Sequence, residues 1–167
     1  MEIITESWLE EMLQLCQQKD VGMAGAKLYY PDDTIQHAGV VVGLGGVAAH
    51  VLCKLPRDAE GYMGRLRCVQ EISAVTAACM MVKTSVFKAV GGFDEELKVA
   101  FNDIDLCMKV RKYGVKIVFT PYAELYHYES KSRGMEDTPE KPAAFFQRSK
   151  LFPEKMGKRA PERRSLL

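Results

Sequence analysis

The sequence lacks the features that mark several large classes of protein. Its 167 residues carry a formal net charge of only +1, so we expect no strongly basic surface of the kind that binds nucleic acid. The longest apolar candidate, residues 74–82, is interrupted by Thr76 and is far shorter than the roughly 20 residues that cross a bilayer. The acidic start also lacks the basic first region of a secretory signal peptide. We therefore predict a chain with no nucleic-acid partner and no transmembrane segment.

Cysteine is present, but not in a pattern that builds disulfides or zinc sites. The cysteines are five in number, which is odd, and they include no C-x-x-C pair. They are Cys16, Cys53, Cys68, Cys79 and Cys107. A reducing cytoplasm is the simplest location for such a chain.

Residues 135–167 differ in composition from the rest of the chain. They are rich in lysine and arginine and contain Pro139, Pro142, Pro153 and Pro161. This composition predicts a basic, solvated tail with one short helix near residues 141–151. The functional alternative is contact with anionic lipid, which would place the protein at the inner face of the membrane.

Helix and strand patterns alternate along the first 134 residues. The motif S-x-x-E from Ser7 to Glu10 predicts a capping box at the start of a first helix. The predicted elements are a helix at 8–17, strands at 21–30, 76–82 and 115–119, a helix at 83–90 and a helix from about residue 102 to Gly114. We expect an α/β fold with a mixed sheet flanked by helices, and we expect Pro121 to end the last strand.

Acidic residues gather at the start of the helix that ends at Gly114. Asn102, Asp103 and Asp105 fall at the beginning of this helix or in its first turn. The simplest interpretation is that they cap the helix and complement its dipole, which stabilises it by roughly 0.3 to 1 kcal/mol each. The alternative is that their carboxylates serve chemistry.

The preceding loop favours the chemical alternative. It reads Gly91, Gly92, Phe93, Asp94 and Glu95, and a glycine pair lets the backbone approach a ligand closely because glycine adopts positive φ without strain. His127 follows the next predicted strand. In α/β folds, such loops, helix starts and strand ends meet at one edge of the sheet, where ligands bind.

The order of these motifs resembles one family. The run TAACMMVKTSVFKAVGGFDEELKVAFNDIDLCMKVRKYGVKIVFTPYAELYHYES, together with the upstream WLEEML and VGMAGAKLYYPDDTIQHAGVVVGLGG, is similar to the later part of the bacterial family 2 glycosyltransferases. These enzymes have the GT-A fold and transfer sugars from nucleotide diphosphates with inversion. In the family, a nucleotide-binding half ending in a metal-binding D-x-D precedes the run that residues 3–10 resemble. The resemblance therefore implies that residues 1–134 form the C-terminal, acceptor-side portion of a GT-A domain, without that half.

The resemblance also implies roles for single residues. Asp103 would be the general base, and His127 would be a ligand of a divalent metal, Mg²⁺ or Mn²⁺, in the complete enzyme. The substrate-binding residues would be Ala77, Ala78, Gly91, Gly92, Phe93, Asp94, Glu95, Asn102 and Asp105. The partners would be a nucleotide-diphosphate sugar donor and a glycan acceptor. The Q-x-x-R-W signature of processive members is not completed at Gln147 and Arg148, which favours transfer of one or few sugars.

Two alternatives remain open at this point. One is a non-catalytic fragment that binds acceptor glycan or a partner, and the other is a small metal-dependent hydrolase that uses Asp103, Asp105 and His127. We also expect a homodimer, because strands such as 21–30 and 76–82 would lose neighbours if half of the sheet were missing. For His37 and His50 a structural hydrogen bond is the favoured interpretation.

Overall fold

The computed structural model describes residues 1–43, 48–97 and 101–128, which form a mixed sheet with helices on both faces. The strands are β1 (Glu2–Ile3), β2 (Val21–Tyr29), β3 (Ile35–His37), β4 (Val40–Val42), β5 (Ala48–His50), β6 (Gln70–Glu71), β7 (Met80–Val82) and β8 (Lys116–Tyr126). The helices are α1 (Trp8–Cys16), α2 (Thr84–Ala89), α3 (Asn102–Tyr113) and a short 3-10 segment (Tyr62–Arg67). The predicted basic tail, its helix and the boundary at residue 134 lie outside the described residues.

Two long parallel strands, β2 and β8, form the centre of the main sheet. β2 pairs antiparallel with β3 and β7 on its other side, and β8 pairs antiparallel with β1 and β6. Every residue of β2 is buried, as expected for a strand that has neighbours on both sides and helices on both faces. β4 and β5 form a separate antiparallel pair. The predicted mixed α/β architecture is therefore confirmed.

This topology corrects a premise of the predicted homodimer. β2 is not a bare edge, because hydrogen bonds tie it to β8 on one side and to β3 and β7 on the other. The predicted strand at 76–82 is shorter, and only β7 is extended. Within the described part of the chain, β7 pairs on one side only. The dimer itself stays a prediction.

The two faces of the sheet carry different helices. Alternating side chains of the central strands point to opposite faces, so each face has its own apolar cluster. On one face α1 contributes Met12, Leu15 and Cys16, which pack with Ala24, Leu28 and Leu125. On the other face α3 contributes Ile104, Leu106, Cys107 and Val110, which pack with Met23, Ile117 and Phe119. Burying each large apolar side chain contributes roughly 1.5–3 kcal/mol.

The helix ends match the sequence prediction only in part. α3 ends at Gly114 with φ of 101°, the left-handed conformation that glycine adopts without strain. At α1, Ser7 is the N-cap residue but its side chain makes no capping hydrogen bond. The predicted capping box is therefore wrong, although the helix it was meant to start is present.

β8 continues through Pro121 rather than ending there. Phe119 pairs with Gly25 and Glu124 pairs with Lys27, so residues 120–123 of β8 lie opposite a single residue of β2. We call residues 120–123 the β8 bulge. Proline has no N–H to offer a ladder, and a bulge is where a strand tolerates it. The prediction that Pro121 ends the strand was wrong for this reason.

Candidate functional site

Asp103 is the second residue of α3, and backbone amides fix its carboxylate. The amide of Ala77 donates to Asp103 Oδ2 at 3.2 Å, and the amide of Ile104 donates to Asp103 Oδ1 at 2.9 Å. The side chain is partly exposed. A fixed, solvent-accessible carboxylate is what a general base requires, since it must meet the hydroxyl from which it takes a proton.

The loop that precedes β7 forms the wall beside this carboxylate. Ala77 is exposed and Ala78 is partly buried, so small side chains stand next to Asp103. The amide of Ala78 donates to Thr76 Oγ1 at 3.3 Å, which holds the loop in a tight turn. The amide of Asp103 donates to Asn102 Oδ1 at 2.8 Å. The structure therefore brings Ala77, Asn102 and Asp103 together.

The backbone just before Asp103 is strained. Phe101, the N-cap residue of α3, has φ of 64°, a left-handed conformation that is rare for a bulky side chain. Such a residue costs on the order of 1–3 kcal/mol, and strained residues of this kind cluster at functional sites. The strain supports a functional role for the turn that presents Asp103.

Asp105 is inside the protein, unlike Asp103. Its side chain is 1 % exposed and its Oδ2 lies 2.9 Å from Lys109 Nζ. Lys109 Nζ also donates to the carbonyl oxygen of Gly92 at 3.0 Å. Lys109, paired with Asp105, therefore ties α3 to residues 91–95, which we call the glycine loop. This contact gives Asp105 a structural role, and its substrate contact stays a prediction.

The glycine loop is shaped by its two glycines and two phenylalanines. Gly91 and Gly92 have φ of 78° and 64°, so neither position favours a side chain. The rings of Phe87 and Phe93 meet edge to face at 5.7 Å, with Phe93 43 % exposed. The side chain of Asp94 is engaged within the loop, where its Oδ1 accepts the amide of Glu96 at 3.0 Å. The side chain of Glu95 is exposed.

His127 follows the end of β8 and is held by Gln36 of β3. His127 Nδ1 lies 2.8 Å from Gln36 Oε1, and Gln36 Nε2 donates to the carbonyl oxygen of His127 at 3.3 Å. An amide oxygen can only accept, so this contact assigns a proton to Nδ1, and in the neutral imidazole Nε2 is then unprotonated. That tautomer is the one in which a histidine ligates a metal while a neighbour orients its ring. The sequence did not predict this role of Gln36, because no local pattern indicates a contact with a residue 91 positions away.

His37 is fully buried beside the same loop. His37 Nε2 lies 3.5 Å from the amide of Thr76, and His37 Nδ1 lies 2.9 Å from His50 Nδ1. Burial, and then the charge of His50, hold the pKa of His37 well below its usual 6.5. The predicted structural hydrogen bonds of the two histidines are confirmed.

The described residues do not by themselves build a metal centre. Within 1–43, 48–97 and 101–128 there is no group of three or more histidine, cysteine, aspartate or glutamate side chains that could hold a metal ion. Asp103, Asp105 and His127 therefore do not form the metal site that the hydrolase alternative requires. A metal ligated by His127 needs further ligands from outside these residues.

No helix in the described part of the chain is long and apolar enough to span a membrane. This agrees with the absence of any long apolar run in the sequence.

Comparisons with known proteins place this chain in a family. Residues 2–150 match the family described as glycosyltransferase like family 2. The chain is 60 % identical over 145 residues to the "Uncharacterized protein y4gI" of Sinorhizobium fredii (strain NBRC 101917 / NGR234), a match that covers 86 % of this chain and 16 % of that protein. It is 38 % identical over 141 residues to the O-antigen biosynthesis protein RfbC of Myxococcus xanthus, covering 84 % of this chain and 11 % of the relative.

A third relative matches a shorter region. The N-acetylglucosaminyl-diphospho-decaprenol L-rhamnosyltransferase of Mycobacterium tuberculosis (strain ATCC 25618 / H37Rv) is 36 % identical over 62 residues, which are 37 % of this chain and 20 % of that enzyme. The chain spans about one sixth of the Sinorhizobium protein and about one ninth of the Myxococcus protein. Because the family match covers most of its length, this chain belongs to the glycosyltransferase-like family 2.

Proposed function

We propose that this chain forms the acceptor side of a glycosyltransferase that moves a sugar from a nucleotide-diphosphate donor to a glycan acceptor with inversion at the anomeric carbon. Family membership supports the reaction class. The name of the Myxococcus relative, an O-antigen biosynthesis protein, supports a polysaccharide as the acceptor. The observation that carries the proposal is the fixed, partly exposed carboxylate of Asp103 at the start of α3.

In this proposal Asp103 is the general base. As the acceptor oxygen attacks the anomeric carbon, its proton passes to the carboxylate of Asp103. The new bond joins the acceptor oxygen to the sugar, and the bond from the sugar to the nucleotide diphosphate breaks on the opposite side. The amides of Ala77 and Ile104 hold the carboxylate in one orientation, so little reorganisation is needed when the acceptor arrives.

The residues around Asp103 would shape the acceptor site. The small side chains of Ala77 and Ala78 leave room beside the carboxylate for a hydroxyl-bearing ring. The exposed ring of Phe93 offers an apolar surface of the kind that packs against the face of a sugar. Gly91 and Gly92 allow this loop to lie close to a ligand.

The proposed cofactor is a divalent ion, Mg²⁺ or Mn²⁺. The Nδ1-protonated tautomer of His127 fits the role of one ligand, with Gln36 as the residue that orients it. The remaining ligands would come from the D-x-D that precedes this region in the family. When bound, the ion would stabilise the negative charge that develops on the departing nucleotide diphosphate.

We further propose that the 167 residues do not transfer sugar on their own, because the resemblance places the donor-binding residues in a preceding half. The chain would then act alone only as a binder of acceptor glycan or of a partner. Calorimetry with uridine, guanosine and thymidine diphosphate sugars tests this, and we expect at most feeble binding. A micromolar dissociation constant, about −8 kcal/mol, would overturn the proposal. A cytoplasmic or membrane-peripheral location stays a prediction.

The base assignment is tested in a longer parent protein that includes the region preceding this chain. Release of nucleoside diphosphate is followed with a donor panel and acceptor glycan. Asp103→Asn should keep donor binding and lower turnover by roughly 10² to 10⁴-fold, as expected for a lost general base. Asp20→Asn, at an exposed aspartate that pairs with Lys116, is the matched control and should leave turnover unchanged. Turnover of Asp103→Asn equal to that of the control would move the base role to Asp94 or Glu95.

A further inference from the structure

A buried lysine faces a cleft that none of the predicted site residues lines. Lys27 lies on the central strand β2 and is 4 % exposed. It borders a cavity of about 1070 Å³ whose wall also includes Arg57, Arg67 and Tyr122 and the acidic residues Glu11, Asp58 and Glu124. We call this cavity the Lys27 cleft. The cleft lies at the β8 bulge, because Pro121 and Tyr122 line it and residues 120–123 have no paired residue in the β2–β8 register.

The amine of Lys27 has no hydrogen bond and no ion pair among residues 1–43, 48–97 and 101–128. Its nearest aromatic contact is the ring of Tyr29, with Nζ 5.2 Å from the ring centre. Lys27 pairs with Glu124 in the sheet register, yet the carboxylate of Glu124 is already engaged by two other groups. Glu124 Oε1 accepts the hydroxyl of Tyr29, and Glu124 Oε2 lies 3.2 Å from Arg57 Nη2.

The other cations of the cleft have carboxylate partners. Arg57 is bound to Glu124 and lies 3.6 Å from Asp33. Arg67 pairs with Glu60 at 2.8 Å on the exposed surface. Lys27 is therefore the cation of the cleft that has no direct ion pair within the described residues, and it shares the nearby charge of Glu124 with Arg57.

An unpaired buried ammonium is costly to keep. Desolvation lowers the pKa of Lys27, against the opposing attraction of Glu124. A methionine of similar length would fill the same space without this cost. Groups that are retained at the expense of stability are typical of binding and catalytic sites, where a ligand supplies the missing partner.

We propose that the Lys27 cleft binds an oxyanion, a phosphate or carboxylate group of a ligand, through the amine of Lys27. The cleft is larger than a phosphate ion and falls in the size range of sites for whole small molecules, so the oxyanion is one group of a sugar- or nucleotide-sized compound. Asp103, Ala77, Ala78 and His127 do not line it. The proposal therefore stands independently of the proposed glycosyl transfer.

The test follows Lys27 directly in the 167-residue chain. Lysine labelled with ¹³C at Cε gives one NMR signal for each lysine, and the signal absent from Lys27→Met identifies Lys27. Inorganic phosphate and D-glucuronate are titrated in separate arms to distinguish the two oxyanions, with neutral glucose as the control. We expect a saturable shift of the Lys27 signal in at least one oxyanion arm and a rise of the Lys27 pKa when the anion is bound.

The variants separate Lys27 from the other cations. Lys27→Met should weaken the binding measured by calorimetry about ten-fold or more, as expected for a lost hydrogen bond to a charged group. Lys116→Met, at an exposed lysine paired with Asp20, should bind like the wild type. Equal binding by both variants, or a Lys27 signal that does not move in either oxyanion arm, would overturn the proposal. If Lys27→Met does not fold, Lys27→Arg identifies the signal instead, and the Lys27 pKa of the wild type with and without anion decides between the outcomes.

Discussion

Replacing Lys109 with methionine removes the buried ion pair that ties α3 to the glycine loop and so measures its contribution to stability. Asp105 is 1 % exposed and lies 2.9 Å from Lys109 Nζ, so removing the amine takes away the cation that is paired with this buried carboxylate. Breaking a buried pair in this way costs about 3–5 kcal/mol. Because the side chain of Lys109 is 17 % exposed, water can reach the space it leaves, and we expect the lower end, about 3 kcal/mol. Methionine keeps most of the aliphatic stem, so little packing is lost.

Denaturant and thermal unfolding of the 167-residue chain measure the effect. A loss of about 3 kcal/mol corresponds to a fall of roughly 6–12 °C in Tm for a chain of this size. The double-mutant cycle adds Asp105→Asn and the double variant. The double variant should be more stable than Lys109→Met alone, because the asparagine carries no charge. Lys116→Met breaks an exposed pair with Asp20, which solvent screens, and should cost much less stability than Lys109→Met.

The same substitution releases the carbonyl oxygen of Gly92, which accepts from Lys109 at 3.0 Å. Amide hydrogen exchange at residues 91–95 should therefore become faster in Lys109→Met and stay unchanged in Lys116→Met. The reasoning is refuted if Lys109→Met costs no more than Lys116→Met, since the carboxylate of Asp105 would then not depend on its partner.

Three further predictions concern single titratable groups. The folded pKa of Lys27 lies below its unfolded value of 10.5, so burying the charged amine lowers the free energy of unfolding fully at neutral pH and not at all above both pKa values. Lys27→Met should therefore unfold at a higher denaturant concentration than the wild type at pH 7. This difference should shrink as the pH approaches 10.5. The folded pKa of His37 is lowered, so stability should fall as pH drops below 6.5, by up to about 1.4 kcal/mol per pH unit, and His37→Phe should remove this part of the slope in denaturation curves. Burial raises the pKa of the Cys107 thiol to about 12, so iodoacetamide followed by mass spectrometry should modify exposed Cys68 in the native protein and Cys107 only after unfolding.

Local signals in the sequence were sufficient for the three α-helices and for β2. α3 shows a helical repeat and a terminal glycine, and both are properties of neighbouring residues. β8 was predicted too short because the reason that it tolerates Pro121 is not local. The bulge exists only through the register between Phe119 and Gly25 and between Glu124 and Lys27, two pairs that are remote in sequence.

The roles of Asp103 and Asp105 show a different limit. Both are aspartates in the first turn of one helix, so composition and position do not separate them. Residues two positions apart on a helix point in directions that differ by about 200°, so packing against the sheet decides which of the two is buried. Asp105 enters the core and needs Lys109, four residues later, whereas Asp103 stays at the rim and is held by the amide of Ala77.

The polar residues of β3 connect the parts of the proposed site that the sequence predicted separately. Gln36 holds His127 after β8, and the adjacent His37 reaches the amide of Thr76, one residue before the amide that binds Asp103. Both contacts join residues more than thirty positions apart, which is why the short run Q-H gave no sign of them. Because adjacent residues of a strand point to opposite sides, a slip of β3 by one residue would break both contacts at once. The pairing of β3 with β2 therefore helps to position the proposed base and the proposed metal ligand relative to each other.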